Sequence, residues 1–405
     1  MSNCIIAQSG GPTAVINSSV VGLLNANKEL KTFEKVYGGL NGIEGILNRN
    51  IIDLSSVSEN EIDNFRFTPS SGLGSCRYKL KDLDSCSEEY ESLIEILREY
   101  DITSFFYVGG NDSMDTIAKL SRYAKQNDIG ISFIGIPKTI DNDLKFTDHT
   151  PGFGSAAKFI GTTALETYLD ASVYINNGIF ILETMGRDTG WLAASACIAK
   201  LDGKPIADFI YLPEAAFDKI KFLNDVRQRF EEQNKVYIIV SEGIRDKDGR
   251  FISEFDCVSQ DKFGHVQLGG VSEYLRRIIL DAGFTTRVKA LQLGVLQRCA
   301  MHCASDTDLT EAYNAGKMAL QYASQGESGK MVSINRLSNE PYEVNYPLVN
   351  AEDVANNVKY FPIEWINKEG NFLTPEACSY FEPLIKDSPN LAFERNLPKY
   401  KVFNQ

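Results

Sequence analysis

Short runs of β-branched and aromatic residues recur along this chain, and each closes in a Gly- or Asp-rich loop that opens into an amphipathic stretch. That rhythm constrains the fold more than any other feature, because strands alternating with helices build parallel sheets covered by helices. Cys4 to Ala7 leads through SGGPT into a helix predicted over about residues 14–28, and Ser104 to Val108 leads through GGNDS into one ending near Gln126. Ile131 to Ile136 runs into PKTIDND. A second series predicts a second α/β domain: Gly178 to Leu182 passes through ETMGRDTG into an Ala-rich helix, and Val236 to Val240 passes into SEGIRDKDGR. With no short tandem repeat and no low-complexity linker, the two domains are expected to pack closely. Residues 346–405, rich in Asn, Tyr and Pro, read as an irregular extension wrapping the body.

Composition limits the partners. The 405 residues are 43% hydrophobic, ample for large cores, and 41 Lys and Arg against 54 Asp and Glu give a formal charge of −13. That balance opposes nucleic acid and anionic lipid, so a phosphorylated substrate must be held by a locally basic pocket. The apolar run after Met1 is too short for a secretory signal, and no later stretch offers about twenty uninterrupted apolar residues. The expectation is a soluble, unprocessed, cytoplasmic protein. Cys4, Cys76, Cys86, Cys197, Cys257, Cys299, Cys303 and Cys378 are irregularly spaced, unlike a disulfide framework, and read as reduced thiols. Cys299, His302 and Cys303 have no second Cys or His pair at zinc-like spacing, so small thiols packing at a helix start are the simpler account.

The polar loops all fall at predicted strand ends, where open α/β sheets place their ligands and helix N-termini face anions. Gly10 and Gly11 let phosphate oxygens approach the backbone while Pro12 fixes the turn; steric need alone also explains such glycines. In GGNDSMDT, Asp112 and Ser113 serve either as helix caps or as part of a site for phosphate and magnesium. PKTIDNDL is more informative, because Lys138, Thr139, Asp141 and Asp143 share one loop. Phosphoryl transfer from a polyanion to a sugar hydroxyl needs a cation, a carboxylate to take the proton, and oxygen ligands for Mg²⁺. In ETMGRDTGW, Arg187 at a helix start offers a planar fork to a sugar phosphate or to a surface carboxylate. Glu242 in SEGIR either accepts from sugar hydroxyls or caps locally, and Arg298 in LQR is a third cation.

Taken in order, SGGPTAVIN, GGNDSM, PKTIDND, ETMGR, SEGI and LQR resemble the phosphofructokinase family over roughly residues 1–345. The resemblance implies two Rossmann-like, three-layer α/β domains with mostly parallel sheets and the active site in the cleft between them. It places a phosphoryl-donor domain at 1–150 plus about 299–345, a fructose 6-phosphate domain at 151–298, and the extension at 346–405. It also implies a homodimer or homotetramer whose subunits share sugar-phosphate contacts.

Donor choice is implied at two positions. ATP-using members carry Gly in GGDGS and PGTIDND where this chain has Asp112 and Lys138. A carboxylate at 112 crowds and repels the α-phosphate of ATP, while Lys138 neutralises pyrophosphate. The resemblance therefore implies reversible transfer from pyrophosphate to the 1-hydroxyl of fructose 6-phosphate. Asp141 is the implied general base, supported by Asp143. Gly11 and Lys138 contact pyrophosphate; Thr139 and Asp141 face the sugar; Met185, Gly186, Arg187, Glu242 and Arg298 hold fructose 6-phosphate.

Three positions depart from the family pattern. Asn111 replaces an Asp associated with Mg²⁺, so it is expected to act only indirectly, with the ion held mainly by pyrophosphate oxygens and water. Gly178 stands where ATP-using bacterial members offer an Arg across the subunit boundary. The upstream cation of the second domain is either Arg287 or Lys289. Two other readings remain: an ATP-dependent enzyme of the same family, and a non-catalytic regulatory subunit of the same fold.

Overall fold

The computed structural model describes residues 2–83, 87–175, 178–255 and 270–403. It forms two compact units, one made of Met1–Ser155, Arg298–Val358 and Ile385–Gln405, the other of Ala156–Gln297 and Lys359–Leu384. The first unit thus runs to Ser155 rather than to 150. Residues 346–405 do not stand apart as an extension: they are divided between the units, because their aromatic and apolar residues enter both cores. Leu348–Asn350 adds an antiparallel strand to Lys330–Val332 in the first unit, where Phe403 also packs on Phe65 with ring centroids 4.9 Å apart. In the second unit Phe361, Trp365, Tyr380 and Phe381 surround Trp191 at centroid distances of 5.0–6.5 Å.

The first unit is built on a seven-stranded sheet in the order Leu348–Asn350, Lys330–Val332, Ser132–Pro137, Ile102–Gly109, Asn3–Gln8, Val36–Gly39, Ile51–Asp53. The five central strands are parallel and the two edges antiparallel. Alternation along the strands fills both faces. Ile5, Phe105 and Phe133 pack with Leu93, Ile117 and Leu120 from helices Glu88–Glu99 and Asn111–Gln126. Ile6, Phe106 and Ile134 pack with Val20, Leu23 and Leu320 from helices Ile16–Leu30 and Asp306–Ser324.

From Asn3–Gln8 the chain moves to one side of the sheet, and from Ile102–Gly109 to the other. The reversal of strand order between these two neighbours is the position where doubly wound sheets open a crevice at their carboxyl ends. SGGP and GGND follow these two strands, and PKTIDND follows the next one.

The second unit carries a wholly parallel four-stranded sheet in the order Val288–Gln292, Gly178–Thr184, Lys235–Ser241, Phe209–Tyr211. Of its central strands, Gly178–Thr184 is buried throughout and Lys235–Ser241 from Val236 onward, and the loops ETMGR and SEG emerge side by side from them. Among the described residues no helix is long and apolar enough to cross a membrane.

Candidate functional site

In the first unit the Gly-Gly turn faces two cations. Gly10 adopts φ +75°, and the Lys138 ammonium donates to the Gly11 carbonyl at 2.6 Å. A Cβ on Gly11 would stand 3.2 Å from Arg298 Nη1, so the missing side chain leaves backbone and cations open to an anion. Lys138 is only 2% exposed. Burial lowers its pKa to about 8, against the pull of Asp141 and Asp143, while Arg298 and Arg77 push the same way as burial. Arg298 Nε is buried without a hydrogen-bond partner. An unsatisfied guanidinium N–H beside a desolvated ammonium is an environment that an anion relieves. Arg298, which the resemblance assigns to the sugar phosphate, therefore lies against the Gly10–Gly11 turn.

The loop after Ser132–Pro137 is tied to its neighbours through its backbone: Lys138 N donates to Gly109 O at 3.0 Å, and Thr139 N to Pro151 O at 3.2 Å. Asp141 N donates to Thr139 Oγ1 at 3.1 Å, and Asn142 is buried in the left-handed region at φ +54°. These bonds leave the half-buried Asp141 and Asp143 carboxylates at the strand end.

Helix Asn111–Gln126 corrects the capping alternative. Its N-cap is Gly110, with no side-chain cap, and Asp112 lies inside the first turn with its carboxylate exposed. Asp112 and Ser113 are therefore not caps, and the helix dipole favours a carboxylate at this end. The Asn111 amide is oriented by two backbone carbonyls. With its NH₂ donating to Val354 O at 2.8 Å and Asn357 O at 3.0 Å, its oxygen faces Asp143 Oδ2 at 3.3 Å. The opposite orientation would let the NH₂ donate to Asp143 but would set the amide oxygen against both carbonyls. Two oxygens facing each other with no proton between them fit a hard divalent cation.

In the second unit, Met185, Gly186 and Glu242 are brought together by adjacent parallel strands. Glu242 N donates to Thr184 O at 3.0 Å, Gly186 N to Glu242 Oε1 at 3.3 Å, and Ser241 Oγ to Gly186 O at 2.5 Å. Gly186 sits at φ +128°, where a Cβ would come within 2.6 Å of Thr189 O. Arg187 is not at a helix start, since the helix begins at Trp191; it lies in the loop, 5.9 Å from the Phe251 ring centroid. Sequence reasoning missed Gln297, whose buried amide accepts from Met185 N at 3.3 Å and donates to Gly294 O at 2.9 Å. Its signal was its place immediately before Arg298 in LQR. It also missed Glu183, a buried strand-end carboxylate accepting from Gly270 N, Ser272 N and Ser272 Oγ at 3.1, 2.8 and 2.6 Å.

Gly178 cannot carry an arginine here, because its φ is +112° and a Cβ would lie 2.4 Å from Arg287 O. Of the two candidate upstream cations, Arg287 stacks 5.0 Å from the Tyr174 ring centroid and Lys289 pairs with Asp170 at 3.4 Å. Among the described residues no three His, Cys, Asp or Glu side chains converge as a metal set, Cys299, His302 and Cys303 included. Cys4, Cys76, Cys197 and Cys378 carry no disulfide; Cys86 and Cys257 lie outside the described residues.

The family profile "Phosphofructokinase" matches residues 3–322. The chain belongs to the phosphofructokinase family. It is 41% identical over 402 residues to the pyrophosphate–fructose 6-phosphate 1-phosphotransferase of Halomonas elongata, covering 98% of this chain and 95% of that one. The enzyme of the same name from Xanthomonas campestris is 42% identical at the same coverage. Among solved structures, the pyrophosphate-dependent phosphofructokinase from Marinobacter aquaeolei superposes with a TM-score of 0.88 at 37% identity, covering 100% of this chain and 97% of that one. The phosphofructokinase profile ends inside the helix Asp306–Ser324, whereas the similarity to these relatives continues through the tail.

Proposed function

We propose that this protein is a pyrophosphate–fructose 6-phosphate 1-phosphotransferase, reversibly converting fructose 6-phosphate and pyrophosphate to fructose 1,6-bisphosphate and phosphate. The buried Lys138 ammonium held against Gly11 is the observation that carries the reading, because a desolvated cation at a side-chain-free turn matches a compact polyanion. Nearly full-length similarity to enzymes named for this reaction supports it.

In this reading Gly11, Lys138 and the Arg298 guanidinium receive pyrophosphate. Asp141 takes the proton of the 1-hydroxyl, with Thr139 fixing its turn and Asp143 beside it. Both sides of the reaction contain a phosphoryl compound of similar transfer potential, so it runs either way. Met185, Gly186, Arg187 and Glu242 of the second unit receive fructose 6-phosphate: a carboxylate for hydroxyls and a guanidinium for the phosphate, on the turn that Met185 and Gly186 shape. Asn111 and Asp143 would hold Mg²⁺ directly or through water, and the ion supplies charge neutralisation on the transferring phosphoryl group. Asp112 is the residue that turns away ATP, by charge and bulk. The working form is a cytoplasmic homodimer or homotetramer.

Steady-state phosphorylation of fructose 6-phosphate with Mg²⁺ and either pyrophosphate or ATP, run side by side, tests this. Activity with pyrophosphate and none with ATP is expected. Activity with ATP alone overturns the donor assignment, and none with either moves the chain to the regulatory-subunit reading.

A further inference from the structure

Behind the Asp141 loop lies a buried charged cluster to which no step of the transfer assigns a role. His149 is 1% exposed, and both its ring nitrogens face carboxylates: Nδ1 is 2.8 Å from Asp148 Oδ1 and Nε2 is 2.6 Å from Glu311 Oε2. Two acceptors demand two donors, so the ring is an imidazolium. Tyr342 donates to the other Glu311 oxygen at 2.5 Å, and Arg336 donates Nε to Asp148 at 3.0 Å. One turn earlier on the helix that carries Glu311, the buried Asp308 accepts from Gly152 N and Ser155 N, both at 2.8 Å.

These contacts converge on one segment, residues 147–155, and that segment holds the catalytic loop. Thr150 Oγ1 donates to Thr139 O at 2.8 Å, Thr139 N donates to Pro151 O at 3.2 Å, and Thr139 forms a parallel bridge with Gly152. Thr139 in turn supplies the hydroxyl that receives Asp141 N. An unbroken path of hydrogen bonds and adjoining backbone therefore runs from Glu311 and Asp308, through the 147–155 strap, to the turn that aims Asp141. A loose loop of this kind would cost turnover, because misplacing a reacting group by about 1 Å costs up to about 100-fold.

We propose that His149 and Glu311, with Asp308, are positioning residues that lock the Thr139–Asp141 turn through the 147–155 strap, and that the lock requires the charged imidazolium. The proposal rests on Asp141 being the base of the transfer reaction. Burial alone pushes the His149 pKa down, but Glu311 and Asp148 overcome it and raise the group to about 9. Asp148, Glu311 and Tyr342 face the ring directly, Arg336 pairs with Asp148, and Asp308 lies one turn from Glu311. The lock is thus closed at neutral pH and opens as pH rises through about 9.

Glu311→Gln keeps shape while removing the charge, and Tyr342→Phe is the milder variant if the first fails to fold. With both substrates saturating, so that bound pyrophosphate keeps Lys138 charged, Glu311→Gln is expected to lower kcat about 10- to 100-fold with both KM values within about two-fold. The alkaline limb of kcat should also move below about pH 9. Tyr342→Phe, which frees one Glu311 oxygen but keeps its charge, should lower kcat and quicken exchange of residues 138–143 in the same direction at smaller size. Amide hydrogen exchange of residues 138–143 reads the loop without substrate, and it should quicken there while the central strands keep their protection. An unmoved limb with unchanged exchange in folded Glu311→Gln overturns the proposal, as does exchange quickened evenly across the unit. If the wild-type protein transfers nothing from pyrophosphate, the functional reading fails and exchange alone decides the positioning role.

Discussion

The ammonium of Lys138 donates to the carbonyl of Gly11 at 2.6 Å, inside a site that leaves the lysine 2% exposed. Burial holds its pKa near 8, so its charge is present below that pH and lost above it. In the free enzyme kcat/KM for pyrophosphate should fall as pH rises through about 8. Because the unfolded lysine titrates near 10.5, keeping it charged and buried costs stability at neutral pH, and the cost is relieved between about 8 and 10.5. Lys138→Met should therefore raise Tm by a few degrees while lowering turnover at least about 100-fold, the usual scale for losing a preorganised electrostatic partner. A variant that is inactive yet less stable would show that the ammonium holds the loops together rather than carrying a suppressed charge.

Asp141→Asn preserves the turn, since the backbone N–H at 141 still reaches Thr139 Oγ1. Removing only the basicity should lower kcat by about two or more orders of magnitude and leave the KM for pyrophosphate and fructose 6-phosphate within a few-fold. Turnover within ten-fold of wild type would assign the base to another group.

The strand-end loops were legible because parallel strands buried on both faces read as continuous apolar runs, and the polar residues that interrupt them mark the loops. SGGPT, GGNDS, PKTIDND, ETMGR and SEGI all lie at strand ends for that reason. Distance along the chain hid the rest. Nothing near position 298 says that Arg298 lies against Gly11, and nothing near 311 says that Glu311 reaches His149. The tail misled because its Asn and Pro content masks the aromatic anchors that pack on Trp191 and Phe65. Asp112 resembled a cap because capping residues and exposed first-turn acids share one composition, and only the backbone of Gly110 separates them.

Donor choice is testable at the two positions that differ from the ATP-using pattern. Asp112→Gly removes an exposed carboxylate from the first turn of its helix, and Lys138→Gly removes the buried ammonium. Together they should admit ATP as donor while pyrophosphate activity falls at least about 100-fold. Loss of pyrophosphate activity with no gain of ATP activity would mean that these residues exclude ATP only in company with others.

Asn111 is the position where restoring the acid of the family pattern should do harm. Its NH₂ donates to Val354 O and Asn357 O. Asn111→Asp replaces that donor with a carboxylate oxygen and leaves two carbonyls facing it, at a cost of about 1–3 kcal/mol. The second oxygen adds a like charge beside Asp143. Without divalent ions the variant should melt several degrees below wild type. Mg²⁺ should recover more of that deficit than it adds to wild type, because a cation between the introduced carboxylate and Asp143 removes the repulsion while the lost amide donor stays lost. Equal melting temperatures without Mg²⁺ would overturn both the amide's donation to Val354 O and Asn357 O and the closeness of position 111 to the Asp143 charge.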